Sequence, residues 1–60
     1  MKYAFNKIKE IIYSIDSTEQ VDVCEVLINN FNNTYGNLAN DFSFILVGIL
    51  EATKYLKFKI

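Results

Sequence analysis

Apolar residues recur at helical spacing along the chain, and this periodicity is the strongest constraint on the fold. In residues 2–15, the apolar side chains fall within about 120° of one another on a helical wheel that advances about 100° per residue. Lysine, glutamate and asparagine lie elsewhere on the wheel. The apolar set consists of Ala4, Phe5, Ile8, Ile11, Ile12 and Ile15. The pattern therefore predicts an amphipathic helix over residues 2–15.

A second amphipathic helix is predicted from about Thr18 to Tyr35. Ser17 followed three residues later by Gln20 fits a capping box, which satisfies free backbone N–H groups at a helix start. The predicted apolar face consists of Val21, Cys24, Leu27, Ile28, Phe31 and Tyr35. Gly36 comes directly after this segment and suits the left-handed conformation at a helix end, which glycine adopts without a Cβ penalty. We expect Gly36 to end the second helix.

A third helix is predicted over residues 38–57, with Asn37 as its N-cap. Three lysines lie near its C-terminal end, where the helix dipole favours cations. They are Lys54, Lys57 and Lys59. The last residues, 56–60, alternate between apolar residues and lysine, which is also the pattern of a strand. The sequence therefore does not decide whether this tail is helical or extended. The three helices together predict an all-α three-helix bundle in a single domain, residues 1–60.

The predicted third helix is the most apolar of the three and carries apolar residues on two sides. The side suited to the internal core consists of Phe42, Ile45, Leu46, Ile49, Leu50, Ala52 and Leu56. On the opposite side, four apolar residues surround Glu51; they are Phe44, Val47, Tyr55 and Phe58. A helix in a three-helix monomer buries one stripe against its two neighbours. The second side is therefore expected to face water.

This second side is the candidate functional site. Contiguous exposed apolar surface usually marks an interaction site, and aromatic residues dominate interface energetics. We therefore expect it to bind a protein, most simply a second copy of the chain in a homodimer. In an antiparallel pair, Glu51 would face Lys54 of the other copy. The alternative is that the third helix is central and buries both of its sides within one chain.

The size and residue inventory of the chain argue against catalysis. A chain of 60 residues buries only about 60% of the surface that its unfolded form exposes, so a partner is expected to add stability. It has no histidine, which is the commonest general base and metal ligand. A substrate pocket of about 300 Å³ or more is difficult to enclose in so small a core. We expect a non-enzymatic interaction module without cofactor or metal, such as a regulator or inhibitor of a larger partner protein.

Cys24 is the single cysteine of the chain, so it cannot form an intrachain disulfide. Its place on the apolar face of the second helix predicts a buried, inert thiol. Small secreted domains commonly depend on cysteine pairs, and lysine or asparagine interrupts every apolar run near the N-terminus, which disfavours a secretion signal. The longest apolar run, residues 42–50, is shorter than the roughly 20 residues of a spanning helix. We therefore expect a cytoplasmic protein.

Charge is distributed unevenly along the chain. Six lysines and seven acidic residues give a net charge of −1, and the middle of the chain has acidic residues but no lysine. The face with Asp22, Glu25 and Asn29 suggests an alternative function, in which an acidic surface imitates nucleic-acid phosphates and blocks a nucleic-acid-binding protein. Direct binding to nucleic acid is not expected, because the net charge is negative and the chain has no arginine. A more distant alternative is peripheral membrane binding through the third helix and its lysine-rich end.

Overall fold

The computed structural model describes residues 1–59, and these residues form an all-α fold, as the periodicity predicts. Helix α1 spans Lys2–Tyr13, α2 spans Thr18–Tyr35, a 3₁₀ turn spans Gly36–Ala39, and α3 spans Asn40–Phe58. Each α-helix packs against the other two, within a body of 31 × 15 × 14 Å. Because no non-helical residue separates α2 from α3, the predicted count of three independent helices is met only in part.

The chain reverses direction at the 3₁₀ turn. Gly36 has φ 59° and ψ −135°, so its φ is positive as predicted but its ψ lies outside the left-handed helical region. This combination of angles is essentially restricted to glycine. The prediction that Asn37 caps the third helix is wrong, because Asn37 lies within the turn and α3 begins at Asn40. The backbone carbonyl of Asn37 instead accepts the backbone N–H of Asn40.

The connection from α1 to α2 is short and hydrogen-bonded. Helix α1 ends at Tyr13, two residues before the predicted end, and the hydroxyl of Ser14 donates to the Ile11 carbonyl at 2.9 Å. Such local side-chain bonds compete with continuation of a helix. At the start of α2, Gln20 Oε1 accepts the backbone N–H groups of Asp16 at 2.7 Å and Ser17 at 3.3 Å. This is the contribution of Gln20 to the predicted capping box.

The core is formed by side chains from all the helical elements. The fully or nearly fully buried apolar residues are Ile8, Ile12, Ile15, Val21, Cys24, Ile28, Phe31, Ala39, Leu46 and Leu50. Phe5 and Phe42 close one side with an edge-to-face contact, their ring centroids 5.1 Å apart. Burial of each large aliphatic side chain contributes roughly 1.5–3 kcal/mol. The apolar faces predicted for the first two helices are therefore the faces that pack inward.

Lys57 connects the end of α3 to the end of α1. Its ammonium group donates to the carbonyl oxygen of Tyr13 at 2.9 Å and to that of Ile15. Carbonyl groups at a helix end have no partner within the helix, so Lys57 acts as a cap supplied from a distant part of the chain. Helix α3 continues to Phe58, one residue beyond the predicted end, and Lys59 then adopts the left-handed conformation. Residue 60 of the open tail lies outside the described residues.

Candidate functional site

Helix α3 presents two different faces. Its buried side consists of Ser43, Leu46, Leu50 and Thr53, which we call the inward face. The opposite side is exposed and apolar, and we call it the outward face; it consists of Phe44, Ile45, Gly48, Ala52, Tyr55 and Leu56. At about 100° per residue, these six positions fall within about 120° of one another. The outward face is thus a continuous stripe along the helix.

The side chains of the outward face are well exposed. Phe44 is 81% exposed, Leu56 76%, Tyr55 67% and Ile45 48%. Gly48 and Ala52 lie between these larger residues and are exposed as well. The core predicted for the third helix is therefore wrong at Ile45, Ala52 and Leu56, which face away from the other helices.

Helix α3 is rotated relative to the predicted orientation because two polar residues belong to its buried side. Ser43 donates through its hydroxyl to Oδ1 of Asn32 on α2, at 3.1 Å. This bond satisfies a buried polar group and holds Ser43 against α2. Thr53 is buried on the same side. When only apolar residues on the helical wheel are assigned to the core, Ser43 and Thr53 are left out. The buried side is then predicted too far toward Ile45 and Leu56.

The structure divides the predicted interaction residues among three places. Phe44 and Tyr55 lie on the outward face. Val47 and Glu51 are exposed beside α2, where they line a cleft. Phe58 is half-buried and packs against the core. Phe58 therefore contributes to the packing of the core and is less exposed than Phe44 and Tyr55. The sequence search missed Ile45 and Leu56, although both are large apolar residues at helical spacing from Phe44 and Tyr55.

Glu51 has a partner within its own helix. Its Oε1 lies 3.5 Å from Nζ of Lys54, one turn further along α3. An exposed pair of this kind contributes about 0–1 kcal/mol. Glu51 is thus paired within the single chain, and the predicted ion pair with Lys54 of a second copy stays a prediction.

A shallow cleft of about 260 Å³ opens between α2 and α3. It is lined by Glu25, Ile28, Asn29, Val47, Leu50 and Glu51. Its volume lies below the roughly 300–1,000 Å³ of typical small-molecule sites. The residues of the predicted acidic face, Asp22, Glu25 and Asn29, are exposed on α2, and two of them border this cleft. Glu51 adds a further carboxylate from α3.

Cys24 lies in the core, as the sequence indicates, and its side chain is fully buried. Burial raises the pKa of the Cys24 thiol, because an apolar environment disfavours the charged thiolate. A thiol in this form is a poor nucleophile. Among residues 1–59, no group of three or more cysteine, aspartate or glutamate side chains is arranged to hold a metal ion. In the same part of the chain, no helix is long and apolar enough to cross a membrane.

Comparison with known proteins leaves the site to be argued from its own residues. No protein-family model matches the chain, and neither a curated protein nor a solved structure matches it. The outward face, the cleft and the acidic residues of α2 are therefore the features from which a function is inferred.

Proposed function

We propose that this chain is a small, non-enzymatic protein-interaction module that binds through the outward face of α3. It acts as a regulator or inhibitor of a larger partner protein, or as one subunit of a homodimer. In this proposal the fold is a three-helix bundle. The inward face of its last helix packs into the core, and the outward face of the same helix binds the partner. The observation that carries the proposal is that α3 exposes large apolar side chains which its own bundle does not use.

The extent of the outward face fits a helix-sized contact. From Phe44 to Leu56 the stripe covers on the order of 18 Å along the helix axis, at about 1.5 Å per residue. Partner proteins bind apolar stripes of this spacing by packing a helix or a groove against them. Tyr55 adds a hydroxyl at one end, which suits an interface because its ring is apolar and its tip is polar. The predicted contact therefore combines aromatic anchors with aliphatic residues.

The residues around the outward face support a protein contact over a lipid contact. Two of the three lysines near the end of α3 are already engaged. Lys57 donates to the carbonyl groups of Tyr13 at the end of α1 and Ile15 in the connection that follows, and Lys54 pairs with Glu51. Surface binding to anionic lipid gains much of its strength from free lysines on the polar side of an amphipathic helix. The lysine-rich end of α3 thus offers little of this attraction.

Site-specific photo-crosslinking in cells that naturally express the chain tests the proposal. A photoreactive phenylalanine analogue replaces Tyr55 on the outward face, and in a matched control it replaces Asn33 on the exposed polar side of α2. We expect a discrete adduct from position 55 and none from position 33, and we expect Phe44→Glu to abolish that adduct. An equal yield at both positions, or an adduct that persists with Phe44→Glu, contradicts the proposal.

The acidic face of α2 supports the alternative function, imitation of nucleic-acid phosphates. Asp22, Glu25 and Asn29 are all exposed, and Glu51 lies across the cleft from two of them. Replacement of Asp22 and Glu25 by lysine separates the two functions. Under the interaction proposal this double variant keeps the adduct from position 55, whereas under mimicry it loses partner binding entirely.

A further inference from the structure

We infer that the outward face of α3 binds a second copy of this chain, with the two α3 helices antiparallel and closest at Gly48 and Ala52. This inference rests on the proposed function, since it names the occupant of the same surface. Three properties of the outward face support it: the position of its small residues, the charges at its two ends, and its area.

The small residues lie at the middle of the outward face. Gly48 and Ala52 are one turn apart, with Phe44 and Ile45 on one side along the axis and Tyr55 and Leu56 on the other. A Cβ atom built on Gly48 meets nothing within 4 Å, so the space beside it is open in the single chain. Helix axes approach to about 8–10 Å depending on the side chains at the contact. Small residues at the centre therefore allow close approach there, and larger residues fill the widening space toward the ends.

The stripe is complementary to itself in the antiparallel direction. A two-fold axis near position 50 places Gly48 opposite Ala52 of the second copy. The same axis places Phe44 opposite Leu56, and Ile45 opposite Tyr55. The two-fold symmetry makes each contact occur twice, which is the property of the isologous interface found in most soluble dimers.

Charges at the two ends of the outward face select the antiparallel direction. Asp41 precedes the stripe and Lys59 follows it, and both are exposed. At about 100° per residue, Asp41 falls on the midline of the stripe, whereas Lys59 follows the last residue of α3 and adopts the left-handed conformation. An antiparallel pair brings Asp41 near Lys59 of the second copy at both ends, whereas a parallel pair brings like charges together. The helix dipoles are also opposed in the antiparallel pair.

The area of the face fits a small specific dimer. Large aromatic side chains bury roughly 150–250 Å² each. With the observed exposures, the stripe offers on the order of 600 Å² per chain, or on the order of 1,200 Å² in total, which is the lower limit for specific interfaces. The dimer is therefore expected to be reversible and to respond to protein concentration.

Light scattering over a concentration series tests the inference with Gly48→Gln as the central variant. Glutamine adds bulk at the proposed crossing point without changing charge, and it is a better helix former than glycine. We expect the wild type to form a dimer and Gly48→Gln to weaken it about tenfold or more. The thermal midpoint of the variant monomer rises by about 4 °C, so loss of the dimer cannot be attributed to unfolding. Asn33→Gln on α2 is the matched control and keeps the wild-type dimer.

Charge reversal tests the orientation. Asp41→Lys and Lys59→Asp each weaken an antiparallel dimer by about three- to tenfold, and a mixture of the two single variants recovers the association as a heterodimer. In a parallel dimer Asp41 already faces Asp41 and Lys59 already faces Lys59, so neither single variant weakens the homodimer. Wild-type affinity in both single variants would therefore show that the antiparallel orientation is wrong.

Two further outcomes overturn the inference. A wild-type chain that remains monomeric at high concentration shows that the occupant is not a second copy. If position 55 nevertheless crosslinks to a different protein, the proposed function stands and only the inferred partner is wrong. Co-flotation of the chain with anionic vesicles, abolished by Phe44→Glu, would assign the outward face to a membrane surface instead.

Discussion

The buried face of α3 contains more polar residues than its exposed face. The inward face contains two polar residues, Ser43 and Thr53, beside Leu46 and Leu50, and it is buried. The outward face has aromatic and aliphatic side chains and is exposed. Apolar character alone therefore does not determine which side of a helix enters the core. The packing of α1 and α2 against α3, together with the bond from Ser43 to Asn32, decides it.

This comparison separates the residues that make the fold from those that we propose make the contact. Changes on the inward face are expected to lower the free energy of unfolding. Changes on the outward face are expected to alter association and leave the fold intact. Single substitutions on the two faces and at the ends of α3 test that separation.

Leu46→Ala compared with Phe44→Ala gives the largest contrast. Leu46 is 0% exposed, so its truncation leaves a cavity and lowers the free energy of unfolding by about 2–5 kcal/mol. Phe44 is exposed, and its truncation changes the free energy of unfolding of the monomer by less than about 0.5 kcal/mol. Urea denaturation at low protein concentration measures both. Similar losses from the two variants would mean that the two faces do not differ as described.

Phe58→Glu compared with Phe44→Glu tests the reassignment of Phe58 to the core. A carboxylate at position 58 is placed against apolar side chains, and we expect a loss of about 1–3 kcal/mol in the free energy of unfolding. Phe44→Glu keeps the helical circular dichroism spectrum and thermal midpoint of the wild-type monomer. The assignment of Phe58 fails if Phe58→Glu is as stable as Phe44→Glu.

Gly36→Ala tests the turn that sets the direction of α3. No atom obstructs an added Cβ at this position, so the expected effect comes from the backbone angles alone. A residue forced into this conformation costs about 1–3 kcal/mol. The thermal midpoint should therefore fall, while Asn37→Ala at the next position of the turn leaves it nearly unchanged. An unchanged midpoint for Gly36→Ala would show that the turn relaxes without cost.

Lys57→Met tests the cap that holds the far end of α3. Methionine keeps much of the apolar stem but cannot donate to the carbonyls of Tyr13 and Ile15. Hydrogen bonds from charged groups contribute about 1.5–3 kcal/mol, and exposure of Lys57 to solvent reduces this to about 1–2 kcal/mol. Faster hydrogen exchange at the α1–α2 connection is the measurement. Lys54→Met serves as the control. Equal hydrogen-exchange rates in the two variants would show that Lys57 does not act as a cap.

Gly48→Ala is the smallest expected effect, and its sign is opposite to the others. The space around Gly48 is open, and alanine in a helix interior is favoured over glycine by about 0.5–1 kcal/mol. The free energy of unfolding of the monomer is therefore expected to rise by that amount. A fall measured at low protein concentration would show that the outward face packs against something within the single chain.

The sequence predicted most of the fold because its periodicity is local. The apolar faces of α1 and α2, and the burial of Cys24, follow from spacing along one helix at a time. The orientation of α3 could not be predicted in the same way. It depends on a hydrogen bond between Ser43 and Asn32 and on an interaction of Lys57 with residues more than forty positions earlier. The spacing of apolar residues within one helix does not predict either of these contacts between helices.

The candidate site was predicted in part for the same reason. Phe44 and Tyr55 were assigned to the exposed side, and the structure places them there. The positions of the apolar residues on the wheel predict Ile45 and Leu56 in the core and Phe58 at the surface, whereas the structure exposes Ile45 and Leu56 and half-buries Phe58. A rotation of α3 by a fraction of a turn exchanges such residues between core and surface, and only the packing of the other helices fixes that rotation.

Hydroxyl-radical footprinting of the purified chain over a concentration series tests whether two copies associate through the outward face of α3. Tyr55 and Phe44 report on that face, and Tyr3, which is 78% exposed on α1, is the internal reference. The account predicts that oxidation of Tyr55 and Phe44 decreases as the protein concentration rises, while oxidation of Tyr3 stays constant. Oxidation of all three that is independent of concentration, or equal protection of Tyr3, would contradict it.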